Sequence, residues 1–386
     1  MRIHLFVLFF CIRDTFNNNV YLSDEGKTAI EISIIISSGG VFSLFIQPIL
    51  GYFIDKTQRT IFLISLFLIV AGILALSLPV TKETAALCIL YGLIFALINA
   101  VAPINEKLAT NSKFKYGYIR IWGAIGFSLA SQTSTVIYKY TNDNFIFYIF
   151  SLSILFTLFG YIYLSRDEFN YENTRNKKEV SSLTAKKVLS RLAFNRMFIL
   201  FQIINLFFTG MTTVSNVYLP IFLNDNGINL SIIGTIILIA TLLEIPLILF
   251  SNLIIDRLST KKLLFIVLMM IFIQFSIYGF ITNSVIITIT TIFLKASSTM
   301  LFIMITLKAT INTVPDYLIN SALSIAATLK AIGGMLFQVF SGFIIDRFNI
   351  QILYVSFTFF TLLILIVLIF KFKLDEDAAD TLFSGK

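Results

Sequence analysis

The sequence predicts an all-α membrane protein in which twelve transmembrane helices form two pseudo-symmetric six-helix bundles. Three observations carry the prediction: twelve apolar runs of spanning length, basic residues gathered in alternate loops, and an internal repeat. Composition sets the class. Of 386 residues, 57% are hydrophobic and only 13% charged, about half the charge that the surface of a soluble domain carries. A soluble globule, a disordered chain and a nucleic-acid-binding domain are excluded on the same figures. The two cysteines, Cys11 and Cys88, lie in apolar runs, so no disulfide framework is expected.

The runs cover roughly residues 4–22, 31–54, 60–80, 84–106, 119–138, 144–164, 197–222, 229–255, 263–282, 284–307, 318–345 and 350–372. A spanning helix needs about 20 predominantly apolar residues, and each run supplies nearly that number or more. Strands are not expected, because a barrel would show alternating segments of about ten residues. The first run continues into Asn17, Asn18 and Asn19 with no small-residue cleavage site, so it reads as a helix rather than a cleaved signal.

Charge orients the runs. The loops after runs 2, 4, 6, 8 and 10, with the C-terminal tail, hold about 21 of the 29 basic residues, whereas the opposite loops hold Lys27, Lys82, Lys139 and Arg347. Basic residues collect on the cytoplasmic side. Both termini and the long basic segment 165–196 are therefore expected in the cytoplasm. The expected division is an N-terminal bundle at 1–164, the central loop at 165–196, a C-terminal bundle at 197–374 and a tail at 375–386. The chain is read as a monomeric, multi-pass protein of a bacterial cell membrane, with the bilayer as partner and no nucleic acid.

The two halves echo one another. Leu22-Ser23-Asp24-Glu25-Gly26 matches Leu223-Asn224-Asp225-Asn226-Gly227, and Asp55-Lys56 matches Asp256-Arg257, both at an offset of 201 residues. Gly126 and Gly334 form a weaker echo at 208. Related halves of this kind imply a transporter with its substrate site between repeats.

Between the second and third runs stands Gly51-Tyr52-Phe53-Ile54-Asp55-Lys56-Thr57-Gln58-Arg59. It resembles the G-x-x-x-D-(R/K)-x-x-R loop of the major facilitator superfamily. The chemistry suits a conformational latch, in which Gly51 lets helices approach, Asp55 caps or pairs, and Lys56 and Arg59 gather on the cytoplasmic side. The second copy keeps Asp256 and Arg257 but has Asn252 where the glycine would stand.

Further on, Asn99-Ala100-Val101-Ala102-Pro103 leads to Glu106 and then to Tyr116-Gly117-Tyr118-Ile119-Arg120-Ile121-Trp122-Gly123-Ala124-Ile125-Gly126-Phe127. This pattern resembles the branch containing lactose and oligosaccharide permeases, phenylpropionate permeases and nucleoside–proton symporters, with uncharacterised bacterial sugar-permease-like members most similar. The resemblance implies the major facilitator fold and secondary transport. It also implies that Glu106 and Arg120 bind a solute, that Phe127 or Trp122 stacks on it, and that Asn17, Asn18 and Asn99 offer hydroxyl partners. Lys295 matches a tenth-helix lysine of that branch. The histidine and glutamate that follow it there fall on Ser298 and Leu301, and the ninth-helix arginine falls on Gln274.

A charge in hydrocarbon costs several kcal/mol unless it is paired or wet, so each one is a functional candidate. Arg13 and Asp14 are adjacent and cannot share a helix face; one faces the cavity, or the helix begins late and both lie near its end. Glu244, in Leu243-Glu244-Ile245-Pro246, is the first candidate for proton coupling, with Asp14 the second. The competing reading pairs Glu244 permanently with Lys295 or Lys330. Lys330, before Gly333 and Gly334, is either a cavity cation for an anionic solute or that partner. Lys308 is expected to snorkel to the surface.

No G-x-x-x-x-G-K-(S/T) loop is present, nor any clustered metal ligands, so neither ATP hydrolysis nor a metal or other cofactor is expected. The chain is read as a transporter, not an enzyme. The favoured function is proton-coupled uptake of a small polar solute such as a sugar or glycoside. The alternatives are nucleoside or aromatic-acid symport, and proton-driven efflux of drugs or metabolites.

Overall fold

A computed structural model describes Leu22, Lys27, residues 29–57, 59–110, 114–123, 126, 145–167, 185–228 and 230–372. All regular structure among them is helical. The helices are α1 (Ala29–Thr57), α2 (Thr60–Ser77), α3 (Thr84–Thr110), α4 (116–123), α5 (Phe145–Asp167), α6 (Ala185–Phe194) and α7 (Arg196–Asp225). They continue as α8 (Leu230–Leu242), α9 (Glu244–Leu249), α10 (Ser251–Ile255), α11 (Thr260–Phe280), α12 (Ser284–Thr290), α13 (Ala296–Thr313), α14 (Ile319–Arg347) and α15 (Ile350–Lys371). Eight helical stretches among the described residues are long and apolar enough to cross a membrane, and a shorter apolar helix covers Phe147–Tyr161. The first predicted run, most of the fifth and most of the basic loop 165–196 lie outside the described residues.

Two compact units divide the chain. The first takes residues up to Leu189 together with Asp316–Thr328; the second takes Ser190–Pro315 and continues from Leu329. Helix α14 is thus shared, its first ten residues packing in the first unit and the remainder in the second. Within the first unit α1 lies along α3, and α2 against α3 and α5. Within the second, α11 packs chiefly on α15, with α13 beside both α7 and α11.

Polar residues at the run boundaries set where helices start. The side chains of Asn195, Ser259, Asn283 and Asn349 each accept from a backbone N–H in the turn they cap, satisfying donors that a helix start leaves over. At the end of α7 the chain turns through Gly227 at φ +81°, a backbone conformation that glycine adopts without strain. There the Ile228 N–H donates to Leu223 O at 3.1 Å. In the other half, the Lys27 N–H donates to Leu22 O, also at 3.1 Å. These two bonds join residues at the 201-residue offset, so the matched segments make the same turn.

The eighth run was expected as one helix over 229–255 and is instead three short ones. Pro246 has no N–H to give to Leu242, and its ring crowds that turn; the helix breaks at Leu243 and again at Phe250. The tenth run is interrupted more gently, by a π turn at Thr291–Lys295.

Lys308 does not snorkel. It is 3% exposed, and its ammonium donates to Ile255 O at 2.7 Å and Leu258 O at 2.9 Å. The carbonyls at the end of α10 lack helical partners, and a buried lysine satisfies two of them.

Close backbone contact explains the glycine pair in α14. A Cβ on Gly333 would run into the carbonyl oxygen of Leu206 in α7, whereas one on Gly334 would meet only the Thr213 methyl, at 3.5 Å. Small residues of this kind let membrane helices approach. Gly333→Ala is expected to destabilise the purified protein by about 1–3 kcal/mol through overpacking. Gly334→Ala is expected to leave stability unchanged or raise it by up to about 1 kcal/mol through helix propensity. Thermal unfolding of both variants in one detergent checks the contrast.

Candidate functional site

Three polar constellations stand out. The first is built from the last turns of α3 and the first of α4. Glu106 lies four residues before the end of α3, and Asn99 precedes it by seven, two turns along the same face. Arg120 Nε lies 2.9 Å from Glu106 Oε1, and the Tyr116 hydroxyl donates to Glu106 Oε2 at 2.6 Å. Tyr116 and Arg120 are buried and Glu106 nearly so. The carboxylate thus meets a cation and a hydroxyl on its two oxygens, which is how a charged pair survives burial. Asn99 spends its amide on the Phe95 carbonyl of its own helix, at 2.8 Å.

Trp122 does not join this group. It is exposed while Arg120 is buried, as two residues, about 200° of helix turn, require. Phe127, Asn17, Asn18, Arg13 and Asp14 lie outside the described residues.

The second constellation is the predicted latch. Asp55, only 2% exposed, ends α1 against the first turn of α14, both inside the first unit. Its Oδ1 accepts from the Asn320 side-chain amide at 2.7 Å and the Asn320 N–H at 3.3 Å. Its Oδ2 accepts from the Ser321 N–H at 2.7 Å and from the Ser321 hydroxyl. The carboxylate therefore caps the positive end of a 29-residue helix. The charge of Lys107 reaches it as well. Gly51, one turn earlier, is pressed against Ser324 and Asn320; a Cβ there would stand 2.7 Å from the Asn320 carbonyl oxygen. A turn further back, the Thr328 hydroxyl donates to Gln47 at 3.3 Å.

Lys56 and Arg59 are exposed, Lys56 lying 5.6 Å from the centre of the Tyr52 ring. In the second copy Asp256 caps the C-terminus of α10, half-buried, and Arg257 is exposed.

The third constellation lies in the second unit, where two helices are irregular. Glu244 opens α9 at the break made by Pro246, and Lys295 closes the π turn. The charge of Glu244 reaches Lys295. Among the described residues no carboxylate lies against Lys330, whose side chain is exposed on α14. Of the two candidate partners, the lysine coupled to Glu244 is therefore Lys295. π turns and broken helices recur at functional sites in membrane proteins because they free backbone groups and let a side chain reposition.

Four contributors were not singled out from the sequence: Tyr116, Asn320, Ser321 and Lys107. Lys107 could have been found, since it stands 201 residues before Lys308, the same offset as Asp55 and Asp256. Asn320 and Ser321 carry no local sign of their contact with a residue some 265 positions away. No group of three or more His, Cys, Asp or Glu that could hold a metal occurs among the described residues.

Comparison with known proteins gives a consistent picture. Residues 3–329 match the MFS_1 like family. The chain is similar to the uncharacterized transporter YwbF of Bacillus subtilis, 24% identical over 345 residues, covering 88% of this chain and 84% of that one. It is 23% identical over 382 residues to a maltose permease of Geobacillus stearothermophilus, covering 97% and 94%. Among solved structures, the proton:xylose symporter XylE superposes with a TM-score of 0.70 at 11% identity, covering 99% of this chain and 97% of that one.

Proposed function

The chain belongs to the MFS_1 like family, of the major facilitator superfamily of membrane transporters, and from that premise we propose that it imports a small polar solute of the sugar or glycoside class together with protons. It is a multi-pass membrane transporter, not an enzyme, with the twelve-helix major facilitator fold. The single observation that carries the solute proposal is the Glu106–Arg120 pair, held in place by Tyr116. An oriented carboxylate beside a guanidinium fork offers an acceptor and several donors to vicinal hydroxyls, the pattern a sugar requires. Similarity to a maltose permease along nearly the whole chain favours the same class.

In this reading Glu244 takes the proton. Neutralising it releases Lys295 from its field, and the break at Pro246 and the π turn give both side chains room to move. The latch is Asp55 on α14. Because α14 is shared between the two units, releasing its first turn from α1 frees one unit to rock against the other and exposes the site alternately to each side of the cell membrane. The basic loops, with both termini, face the cytoplasm.

Uptake of labelled sugars by proteoliposomes tests the solute assignment. Arg120→Lys keeps the charge but loses the planar fork, and Glu106→Gln loses the anion. Each is expected to lower uptake about a hundredfold, the ratio that a lost charged hydrogen bond of about 2–3 kcal/mol gives. Wild-type uptake in both variants, or transport of nucleosides but no sugar, would overturn the assignment.

A further inference from the structure

The start of α11 and the end of α15 leave an open groove that the transport mechanism does not use. Its volume is about 470 Å³, and it is lined by Lys261, Lys262, Phe265, Ile266, Leu368 and Ile369 among others, with no acidic residue in the lining. Lys261 donates to the carbonyl oxygen of Ile369 at 3.1 Å. That fixes the ammonium at the mouth of the groove and leaves two of its three donors unspent. Lys262 is exposed, as is Lys371 at the last turn of α15. Below the lysines the wall turns apolar and outward: Phe265, Ile266 and Ile369 are each more than two-fifths exposed.

The lysines stand where two membrane spans, Thr260–Phe280 and Ile350–Lys371, start and stop. The groove is therefore basic at the edge of the hydrocarbon and apolar within it. An amphiphile with an anionic head and acyl chains matches that order of chemistry, and a soluble anion matches only half of it. We propose that this groove is a binding site for an anionic phospholipid, its phosphate on Lys261 and Lys262 and its chains along Phe265, Ile266 and Ile369. The site draws on the membrane-spanning fold alone and not on the sugar or proton assignment. The other occupant to consider is the acidic stretch Asp375-Glu376-Asp377, four to six residues after Lys371.

Native mass spectrometry of the full chain in a neutral detergent tests the proposal, with phosphatidylglycerol titrated against phosphatidylcholine of the same chains. The expected result is tighter retention of phosphatidylglycerol, weakened about thirtyfold in Lys261→Gln/Lys262→Gln, as about 1 kcal/mol per lysine gives. Thermal stability of the double variant in phosphatidylcholine should equal that of wild type, which separates lost binding from lost folding. Equal retention of phosphatidylglycerol by wild type and variant would overturn the site. Inorganic phosphate displacing the lipid at millimolar concentration would overturn the role of the chains. Binding that emerges only after Asp375, Glu376 and Asp377 are neutralised would assign the groove to the tail instead.

Discussion

Glu244→Gln abolishes accumulation driven by a pH gradient, by at least about a hundredfold, while exchange of solute across the membrane persists. The expectation rests on where Glu244 stands. It opens α9 at a helix break, and its charge reaches Lys295 at the end of a π turn. Glutamine preserves shape and hydrogen bonding but cannot take up or release a proton. Loading and reorientation of the solute then continue, but nothing links them to the proton gradient. Loss of the carboxylate also strands Lys295 as an unbalanced charge, and breaking a buried pair in that way costs about 3–5 kcal/mol. A variant that unfolds would mimic one that is uncoupled. The double variant Glu244→Gln/Lys295→Met removes the stranded charge, and should recover thermal stability without recovering accumulation. Recovery of both would show that the pair is structural and that the proton travels elsewhere.

Asp55→Asn is expected to lower turnover about a hundredfold or more with little change in solute affinity. The carboxylate accepts four hydrogen bonds from Asn320 and Ser321. Asparagine can accept on one side only, and its amide then faces a backbone N–H at the other. Hydrogen bonds to a charged acceptor contribute about 1.5–3 kcal/mol each. Losing even two of them outweighs the 2.7 kcal/mol that corresponds to a hundredfold shift between conformations. Gly51→Val reaches the same contact by a different route, since its side chain would collide with Ser324 and Asn320. Both variants should therefore slow turnover, although one removes charge and the other adds bulk. Wild-type turnover in either would show that the contact between α1 and α14 persists through the whole cycle and is not a latch.

Much of the fold is legible because the membrane imposes it. A segment that must satisfy every backbone group in hydrocarbon becomes a helix, so the apolar run at 350–372 reappears as Ile350–Lys371 and that at 31–54 as Ala29–Thr57. Irregularities were harder to read. Pro246 was in plain view, yet the run around it was taken as continuous, because proline is tolerated in membrane helices when neighbours satisfy the freed groups. The π turn before Ala296 has no proline or glycine to announce it. Lys308 looked like a surface lysine because it lies near the end of its run. Its position is decided instead by the orphan carbonyls of Ile255 and Leu258, about 50 residues earlier.

The polar constellations divide in the same way. Glu106 and Arg120 were named through family resemblance, and they stand in contact. Tyr116, quoted in the same motif, gave no sign that its hydroxyl would take the second carboxylate oxygen. Asp55 was expected to cap or pair, but its partners, Asn320 and Ser321, follow from tertiary packing alone. The repeat was the most informative long-range signal. It relates two turns with matching hydrogen bonds and carries Lys107 onto Lys308 at the same offset.

The central claim is that sugar and protons move together, and one measurement bears on it directly. Proteoliposomes holding the wild-type protein are given pools of sugars, nucleosides and aromatic acids while external pH and labelled solute are followed together. The account predicts external alkalinisation with a sugar pool only, in fixed ratio to sugar uptake, and absent in Glu244→Gln. Sugar uptake with no pH change, or proton release on adding lipophilic cations in place of any response to sugars, would contradict it.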